Sequence, residues 1–384
     1  SQRNCCVAQR GTSMRIGIDA SRSTAIQRTG TENYTLYLVR ALLELAPQHH
    51  YTLYFNQPPA ADLFAFNERV IARVLPSRRL WTHFTLGAEL RRDPPDVLFV
   101  PAHVIPLGYR GASVVTVHDV GYRHYPQAHP ALQRAYLDWS TRHNVRSARM
   151  VVADSHATRR DLAHFYGTPA DKVVVAYPAG SPIRRTDDPQ ALARVQAQYD
   201  TGSDYILYLG SLQPRKNLPG LIRAFALAAH ALDLPAQLNL VLAGRQGWLP
   251  QDLAEIARNQ GVYSRVKLPG YANETDLPAL LSGARAFALP SFYEGFGLPV
   301  LEAMACGTPV ICSDASSLPE VAGDATILVD PDDTVGWAEA LANVVQDTVL
   351  AEQLRQRGYQ RASQFTWHAC AASVLAALEC AAGR

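Results

Sequence analysis

Two glutamates eight positions apart, Glu294 and Glu302, stand in a stretch at 288–312 that is otherwise mainly apolar or glycine-rich. Carboxylates accept pairs of hydrogen bonds from neighbouring hydroxyl groups, which favours recognition of a sugar over bare phosphate. We therefore predict that both Glu294 and Glu302 can face a ligand cleft, one toward the hydroxyls of a sugar and the other toward those of a ribose. Two glutamates at this spacing also occur by chance, so their local context decides the interpretation.

The residues around the glutamates predict a phosphate-binding turn between a strand and a helix. A buried strand ends at Pro290, Pro299 suits the first positions of a helix, and Gly307 suits its end. The glycine loop between strand and helix would direct backbone N–H groups and a positive helix end at a bound anion. The predicted phosphate contacts are the backbone groups of Gly295, Phe296 and Gly297.

A pair of cations, Arg215 and Lys216, follows another buried strand and precedes a helix. Positive side chains lie unfavourably at a helix N-terminus unless an anion is present. Fixed cations near a departing diphosphate would lower the barrier to its release. A solvated surface pair is the alternative interpretation.

The elements that must position these residues alternate between strands and helices, as in parallel sheets covered on both faces. Buried apolar runs predict strands at 14–20, 51–55, 96–100, 113–118, 150–153, 172–176, 205–209, 237–243, 266–268, 286–289 and 309–312. Helical spacing predicts helices at 33–45, 131–148, 158–166, 218–230, 250–259, 275–282 and 299–305, with a last one at about 367–382.

A break in this alternation divides the chain into two domains. The segment 177–190 is rich in proline and mixed charge, which is typical of a linker. We predict an α/β protein with two Rossmann-like domains, at 14–180 and 187–364, facing a central cleft. Residues 365–384 are expected to form a helix that packs back on the first domain, and residues 1–13 a disordered leader.

Composition narrows the class of protein. The chain has 384 residues with 48% hydrophobic and 18% charged content, which is typical of a globular protein with large cores. Its six cysteines show no metal-ligand spacing, and no apolar run reaches the roughly 20 residues of a membrane span. We therefore predict a cytoplasmic protein without a metal site.

Charge is distributed unevenly between the two halves. Residues 14–186 carry 21 Lys and Arg against 13 Asp and Glu, and residues 187–384 carry 13 against 21. The basic half predicts contact with an anionic acceptor or with an anionic membrane at the inner face, and random drift of surface charge is the alternative. Nucleic acid is not an expected partner.

The stretch 291–302 resembles the E-x7-E signature of family 4 retaining glycosyltransferases, and YLGSLQPRKN at 208–217 resembles their second signature. The resemblance extends from Met14 to about Trp367. It implies the GT-B fold and metal-independent transfer of a hexose from a nucleotide diphosphate sugar to a saccharide or lipid-linked acceptor, with no cofactor. GDP-mannose is the favoured donor and UDP-glucose the next, as in enzymes that build cell-surface polysaccharides.

The resemblance also implies roles for single residues. His118 would lie near the reacting sugar, Glu294 would position the sugar, and Arg215 and Lys216 would hold the leaving group. The further expected contacts to donor or acceptor are Gly30, Gly210, Ser211, Gly244, Arg245, Gly270, Tyr271 and Glu302. The loop around Gly30 reads Thr-Gly-Thr, where many relatives have two glycines.

Other classes of function stay open at this point. A sugar-nucleotide epimerase or a phosphorylase-like enzyme could share the two-domain form, but it would turn over without an acceptor sugar. A non-catalytic sensor of sugar nucleotides is a further alternative. A NAD-dependent oxidoreductase is disfavoured, because the loop at 295–300 lacks the third glycine of a dinucleotide fingerprint.

Overall fold

The structure, a computed structural model, describes residues 13–25, 28, 30–77, 80–245, 247 and 252–383. The chain divides into two compact units. The first comprises Ser1–Pro178 with Thr366–Arg384, and the second comprises Ala179–Phe365. Of the predicted leader at 1–13, all but Ser13 lies outside the described residues.

The first unit contains a parallel sheet whose strands alternate with helices. Its described strands are β1 Arg15–Asp19, β2 His50–Phe55, β3 Val70–Val74, β4 Val97–Val100, β5 Ser113–Val117, β6 Met150–Ala153 and β7 Val173–Val175. They lie in the order β3-β2-β1-β4-β5-β6-β7. The order reverses between β1 and β4, which makes the carboxyl ends of these two strands the switch point where such sheets bind ligands.

Helices cover this sheet on both faces. Those before the second unit are α1 Gly30–Leu45, α2 Gly87–Arg92, α3 Gly121–His124, α4 Ala131–Ser147 and α5 His156–Tyr166. Successive side chains of a strand point to opposite faces, so Phe99 of β4 joins one hydrophobic core while Leu98 and Val100 join the other. The sheet therefore lies between two cores.

The second unit repeats this plan. Its strands are β8 Tyr205–Leu209, β9 Asn239–Ala243, β10 Val266–Gly270, β11 Ala286–Leu289, β12 Val310–Ser313 and β13 Ile327–Val329. Their order, β10-β9-β8-β11-β12-β13, reverses between β8 and β11. The helices are α6 Pro189–Tyr199, α7 Leu218–Ala231, α8 Leu253–Asn259, α9 Leu277–Ser282, α10 Leu298–Ala305, α11 Leu318–Ala322, α12 Thr334–Gln346 and α13 Thr348–Ser363. The predicted α/β class with two Rossmann-like sheets is confirmed.

The last helix, α14 Trp367–Ala382, belongs to the first unit and packs against α1. Among the described residues, Thr348–Ala382 is the one stretch long and apolar enough for a membrane span, with a mean hydropathy of 1.3 over 18 residues. The stretch consists of two helices, α13 and α14, and not one. The apolar side chains of α14, such as Val374 and Leu378, are buried in the core that it shares with α1.

Several elements differ from their predicted bounds. The first helix begins at Gly30 and not at residue 33. The predicted linker ends sooner than expected, because Asp188 caps α6 by accepting a hydrogen bond from the backbone N–H of Gln190 at 3.0 Å, and Pro189 suits its first turn. Strand β3, at the edge of its sheet, and the helices between β12 and α14 were not predicted.

Candidate active site

The carboxyl ends of β8 and β11 meet at the switch point of the second sheet. β8 leads into a short 3-10 turn, Pro214–Lys216, and β11 leads into the loop at 291–297. The backbone N–H of Phe292 donates to the carbonyl of Arg215 at 2.9 Å and joins the two segments. This pairing brings together the cations and the carboxylate that the sequence predicts separately.

Glu294 lies between the two cations. Arg215 donates from its guanidinium to Oε2 at 3.0 Å, and the Lys216 ammonium donates to Oε1. The hydroxyl of Ser291 donates to Oε1 at 2.7 Å. Glu294 is 7% exposed and Lys216 8% exposed, so the ion pairs are shielded from water and weakened little by salt. We refer to Arg215, Lys216 and Glu294 as the charge cluster.

The cluster keeps its carboxylate ionised. Burial alone would raise the pKa of Glu294, but the charges of Lys216 and Arg215 lower that pKa to about 2. Two cations with one carboxylate leave a net charge of one positive unit in a site that is largely shielded from water. The cluster can therefore accept a further anion, such as a diphosphate.

Backbone contacts hold the loop of the cluster in place. Arg215 also donates to the carbonyl of Tyr293 at 2.7 Å. The backbone N–H of Glu294 donates to the Ser316 hydroxyl at 2.8 Å, and Ser317 donates to the carbonyls of Glu294 and Phe296 at 2.9 Å. Neither serine was predicted from the sequence, because serine is common in loops and nothing near Ser316 signals its partner. Such bracing reduces the reorganisation needed when an anion binds.

The glycine loop ends in helix α10 as predicted. Gly297 caps the helix with φ +108°, and a Cβ added there would lie 2.7 Å from Leu318 Cδ2, so a larger residue would strain the loop. Gly295 lies beside the cluster, between Glu294 and Phe296 in the loop. The ring of Phe296 packs edge-on against Phe365, with ring centroids 5.8 Å apart, and Phe296 is buried.

The second glutamate has a different environment. Glu302, in α10, accepts hydrogen bonds from the backbone N–H and the hydroxyl of Ser181, at 3.2 and 2.6 Å. Burial raises its pKa, although these donors act against the shift. The two carboxylates thus have pKa values shifted in opposite directions and do not share a partner within the described residues, which indicates separate roles.

The carboxyl ends of β9 and β10 also come together with that of β8. The backbone N–H of Gly210 donates to the carbonyl of Ala243 at 3.1 Å, and that of Gly244 donates to Gly270 at 2.7 Å. A Cβ on Gly244 would lie 1.7 Å from the carbonyl oxygen of Gly210, so only glycine allows this approach. Next to this backbone, the carbonyl of Ser211 accepts a hydrogen bond from Tyr208 at 3.0 Å.

Arg245 and Tyr271 follow these strand ends as a pair. The guanidinium carbon of Arg245 lies 5.2 Å from the centroid of the Tyr271 ring. A cation over an aromatic face is a flat, partly charged surface of the kind on which a nucleobase stacks. The sequence predicted both residues as ligand contacts but not their contact with each other.

In the first unit, His118 follows β5 and is held by Asp154, which follows β6. His118 Nδ1 lies 2.7 Å from Asp154 Oδ2. Burial lowers the pKa of His118, but the charge and hydrogen bond of Asp154, together with smaller effects of Asp119 and the Pro101 backbone, raise that pKa above its usual value. The Tyr34 ring packs edge-on against the imidazole at 4.7 Å. Asp154, a residue that the sequence did not single out, therefore fixes the orientation of His118.

A second polar group occupies the switch point of the first sheet. Arg22 donates from Nε to His103 and from its guanidinium to Glu32 at 3.3 Å. Asp19, at the end of β1, accepts hydrogen bonds from the backbone N–H and hydroxyl of Ser21, both through Oδ1. Its Oδ2 is buried and has no hydrogen-bond partner among the described residues. The sequence offered one signal for Asp19, its place at the carboxyl end of the first strand.

The Asp19 carboxyl is held in an environment that favours its neutral form. Asp19 is 2% exposed, and burial raises its pKa to about 6 despite the Ser21 hydrogen bonds and the charge of Arg22. Because the pKa of Asp19 is higher in the folded than in the unfolded chain, the protonated carboxyl contributes fully to the stability of the fold at acid pH. This contribution is lost as the pH rises through 6. A residue that destabilises the fold at neutral pH is typical of a functional site.

Asp19→Asn is therefore expected to stabilise the protein above pH 6 by up to about 3 kcal/mol and to have little effect near pH 4. Urea unfolding of both proteins between pH 4 and pH 8 measures the difference. Ser21→Ala, which removes only the hydroxyl donor to Oδ1, is the control and should not stabilise at any pH. If Asp19→Asn were no more stable than the native chain at pH 8, burial would not be raising the pKa of Asp19.

Gly30 begins α1 in the first unit and is exposed. Its predicted neighbour in the loop, Thr29, lies outside the described residues. Within the described ranges no group of three or more His, Cys, Asp or Glu side chains is arranged to hold a metal ion.

Comparison with known proteins shows the family of the chain. A family model described as "Glycosyltransferase Family 4" matches residues 28–179, and one described as "Glycosyl transferases group 1" matches residues 190–361. The chain is 32% identical over 361 residues to the O-antigen chain mannosyltransferase B of Escherichia coli. This match covers 89% of this chain and 93% of that protein.

Two solved structures have the same fold. Sucrose-phosphate synthase from Thermosynechococcus elongatus matches with a TM-score of 0.71 at 21% identity, over 94% of this chain and 97% of its own. Anabaena HepE in complex with UDP and glucose matches with a TM-score of 0.71 at 19% identity, over 96% of this chain and 100% of its own. The fold and these matches together define a glycosyltransferase of the GT-B class. The chain belongs to the family 4 glycosyltransferases, as its two sequence signatures indicated.

Proposed function

We propose that the chain is a retaining, metal-independent hexosyltransferase that moves mannose from GDP-mannose to a saccharide or lipid-linked acceptor in bacterial polysaccharide biosynthesis. The 32% identity to a protein named O-antigen chain mannosyltransferase B supports the hexose and the pathway. UDP-glucose is the second candidate donor, and the binding of UDP and glucose by HepE supports it at the level of the fold.

The observation that carries the proposal is the charge cluster at the β8–β11 switch point. Its net positive charge, low exposure and braced loop suit a diphosphate whose negative charge grows as it departs. In this proposal Arg215 and Lys216 bind the diphosphate, the N–H groups of Gly295 to Gly297 add donors, and the Glu294 carboxylate accepts hydrogen bonds from the transferred sugar. A low pKa suits this role, because an ionised carboxylate is the stronger acceptor.

The remaining residues of the second unit would bind the nucleoside. Glu302 would accept hydrogen bonds from the ribose hydroxyls, and the Arg245–Tyr271 pair would contact the base. The backbone at Gly210, Ser211, Gly244 and Gly270 would line the diphosphate and base.

The chemical step follows from these assignments. The bond between the anomeric carbon and the diphosphate oxygen breaks, and the acceptor hydroxyl bonds to the same carbon from the same face. The acceptor proton passes to the departing phosphate oxygen, so no enzyme carboxylate acts as a covalent nucleophile. In the first unit, Gly30 and His118 would bind the saccharide. His118 would donate a hydrogen bond from Nε2 to one of the saccharide's oxygens, while Asp154 holds Nδ1.

We place the acceptor on the first unit and the enzyme in the cytoplasm, at the inner face of the membrane. The excess of basic residues in the first half supports an anionic acceptor or membrane there.

Product analysis tests this function. The enzyme, treated with chelator and given GDP-mannose and an acceptor glycan, should form a glycoside with the anomeric configuration of the donor, as read by the NMR coupling across the anomeric carbon. A reaction without acceptor is the control for epimerase or phosphorylase activity. An inverted product, or turnover that chelator abolishes and Mg²⁺ restores, would contradict the proposal.

A further inference from the structure

Four polar side chains converge at the switch point of the first sheet, where β1 and β4 end side by side. Asp19 ends β1, Arg22 belongs to the 3-10 turn that follows it, and Glu32 lies in the first turn of α1. His103 follows β4. We call these four residues the polar group. Open parallel sheets bind ligands at such a point, so the polar group has the position of a second binding site.

Hydrogen bonds and charge join the members of the polar group. Arg22 donates from Nε to Nε2 of His103 and from its guanidinium to Glu32 at 3.3 Å. The nitrogen that accepts this hydrogen bond carries no proton, so the imidazole is neutral. Burial raises the pKa of Asp19, and the charge of Arg22 acts against that shift. One cation therefore interacts with two carboxyl groups.

The loop that carries His103 is held in an uncommon backbone conformation. His103 has φ +87°, in the left-handed region that residues with a side chain rarely adopt. The buried Asn144 of α4 fixes the loop, because it donates to the carbonyl of His103 at 2.8 Å and accepts from the N–H of Ile105 at 3.0 Å. Backbone strain that is braced in this way is common at ligand-binding sites.

Asp19 holds an oxygen that lacks a donor. Ser21 donates its backbone N–H and its hydroxyl to Oδ1, at 3.1 and 2.6 Å. Oδ2 is buried and has no hydrogen-bond partner among the described residues. A buried carboxyl oxygen without a donor lowers the stability of the fold. A ligand hydroxyl that donates to Oδ2 would offset this cost.

The charge of the polar group favours a neutral ligand. Above a pH of about 6, Asp19 and Glu32 contribute two negative charges and Arg22 one positive charge, which leaves a net charge of one negative unit. The charge cluster of the second unit has the opposite net charge, so a diphosphate suits that cluster and not the polar group. Sugar hydroxyls both donate and accept, and they can therefore pair with carboxylates and a guanidinium at once.

We infer that the polar group binds the hydroxyls of the acceptor saccharide, with one hydroxyl donating to Asp19 Oδ2 and a neighbouring one accepting from Arg22. The turn Ser21–Thr24 must shift for the first contact, and its Arg22 side chain is 44% exposed, so the turn reaches the surface. β5 pairs with β4, which places His118 at the same edge of the sheet. The inference rests on the proposed function, which assigns the acceptor to the first unit.

Titration with mannotriose tests the inference without turnover. Saturation-transfer NMR at pH 8, with GDP present, measures the Kd of this saccharide. Asp19→Asn and Arg22→Ala should each raise that Kd by about tenfold or more, because each removes a charged hydrogen-bond partner. The affinity for GDP, which is assigned to the second unit, should be the same in both variants and in the native chain.

Arg15→Ala is the matched control. Arg15 begins β1, at the opposite end of the strand from Asp19, and its half-exposed side chain pairs with Asp93. This substitution should leave the Kd for mannotriose unchanged. Asp19→Asn is expected to be more stable than the native chain at this pH, so weaker binding by that variant would not arise from unfolding.

Three results would overturn the inference: no binding of mannotriose to the native chain, an unchanged Kd in both polar-group variants, or an equal loss in Arg15→Ala. Binding that depends on Asp19 and Arg22, in an enzyme that transfers no sugar from any donor, would instead contradict only the proposed function.

Discussion

Replacement of both Arg215 and Lys216 by alanine is expected to reduce kcat by at least about 10³-fold, because removing a single donor to a developing anion costs about 10²- to 10³-fold. Both cations are held against Glu294 and directed into one loop. Their charge is needed most when the diphosphate departs, so the loss should appear in kcat more than in the donor KM. Steady-state kinetics with varied donor measures both constants.

The double variant leaves the buried Glu294 carboxylate without its cations, which alone would destabilise the fold. A triple variant that adds Glu294→Gln removes this uncompensated charge and should recover much of the lost melting temperature while remaining inactive. Arg223→Ala, on the exposed face of α7, is the control for loss of an ordinary cation. Turnover within about tenfold of native in the folded double variant would remove the cluster from the mechanism.

Glu294→Gln is expected to lower kcat by about 10²-fold or more, because it removes the ionised acceptor for the sugar and frees both cations from their partner. Glu302→Gln is the matched control in the same strand–loop–helix unit. Its carboxylate is hydrogen-bonded to Ser181 and not to a cation, and it should mainly raise the donor KM. Equal effects of the two substitutions on kcat would contradict the separate roles.

Glu294→Gln should also change how the free energy of unfolding depends on pH. The pKa of Glu294 is lowered to about 2 in the fold, so its ion pairs stabilise the protein fully above its unfolded pKa of 4.5, and this contribution is lost as the pH falls towards 2. The free energy of unfolding of native protein minus that of Glu294→Gln should be constant above pH 5 and should fall by up to about 3 kcal/mol at pH 2. A difference independent of pH would contradict the assigned ion pairs.

The sequence predicted the fold best at elements that are fully buried. Strands at 150–153, 205–209 and 286–289 have the predicted bounds, because each is a short apolar run buried on both faces. Strand β3 was missed, since an edge strand with exposed positions lacks such a run. Helix α6 was missed because Asp188 and Pro189 suit a linker as well as the start of a helix.

The candidate site could be predicted from the sequence only in part. The sequence singled out both glutamates and both cations, but not the ion pairs between them, because contact between residues 79 positions apart depends on the pairing of β8 with β11. Asp154 was missed for the same reason, since β5 and β6 must pair before its carboxylate reaches His118. The order of strands in a sheet is a tertiary property that periodicity does not encode.

A structure of the chelator-treated enzyme with GDP-mannose bound tests the central claim most directly. We expect the diphosphate oxygens to lie within hydrogen-bonding distance of Arg215 and Lys216, with a mannose hydroxyl donating to Glu294 and no metal ion between them. A donor bound away from the β8–β11 switch point, or ordered only when Mg²⁺ bridges its phosphates, would contradict the account.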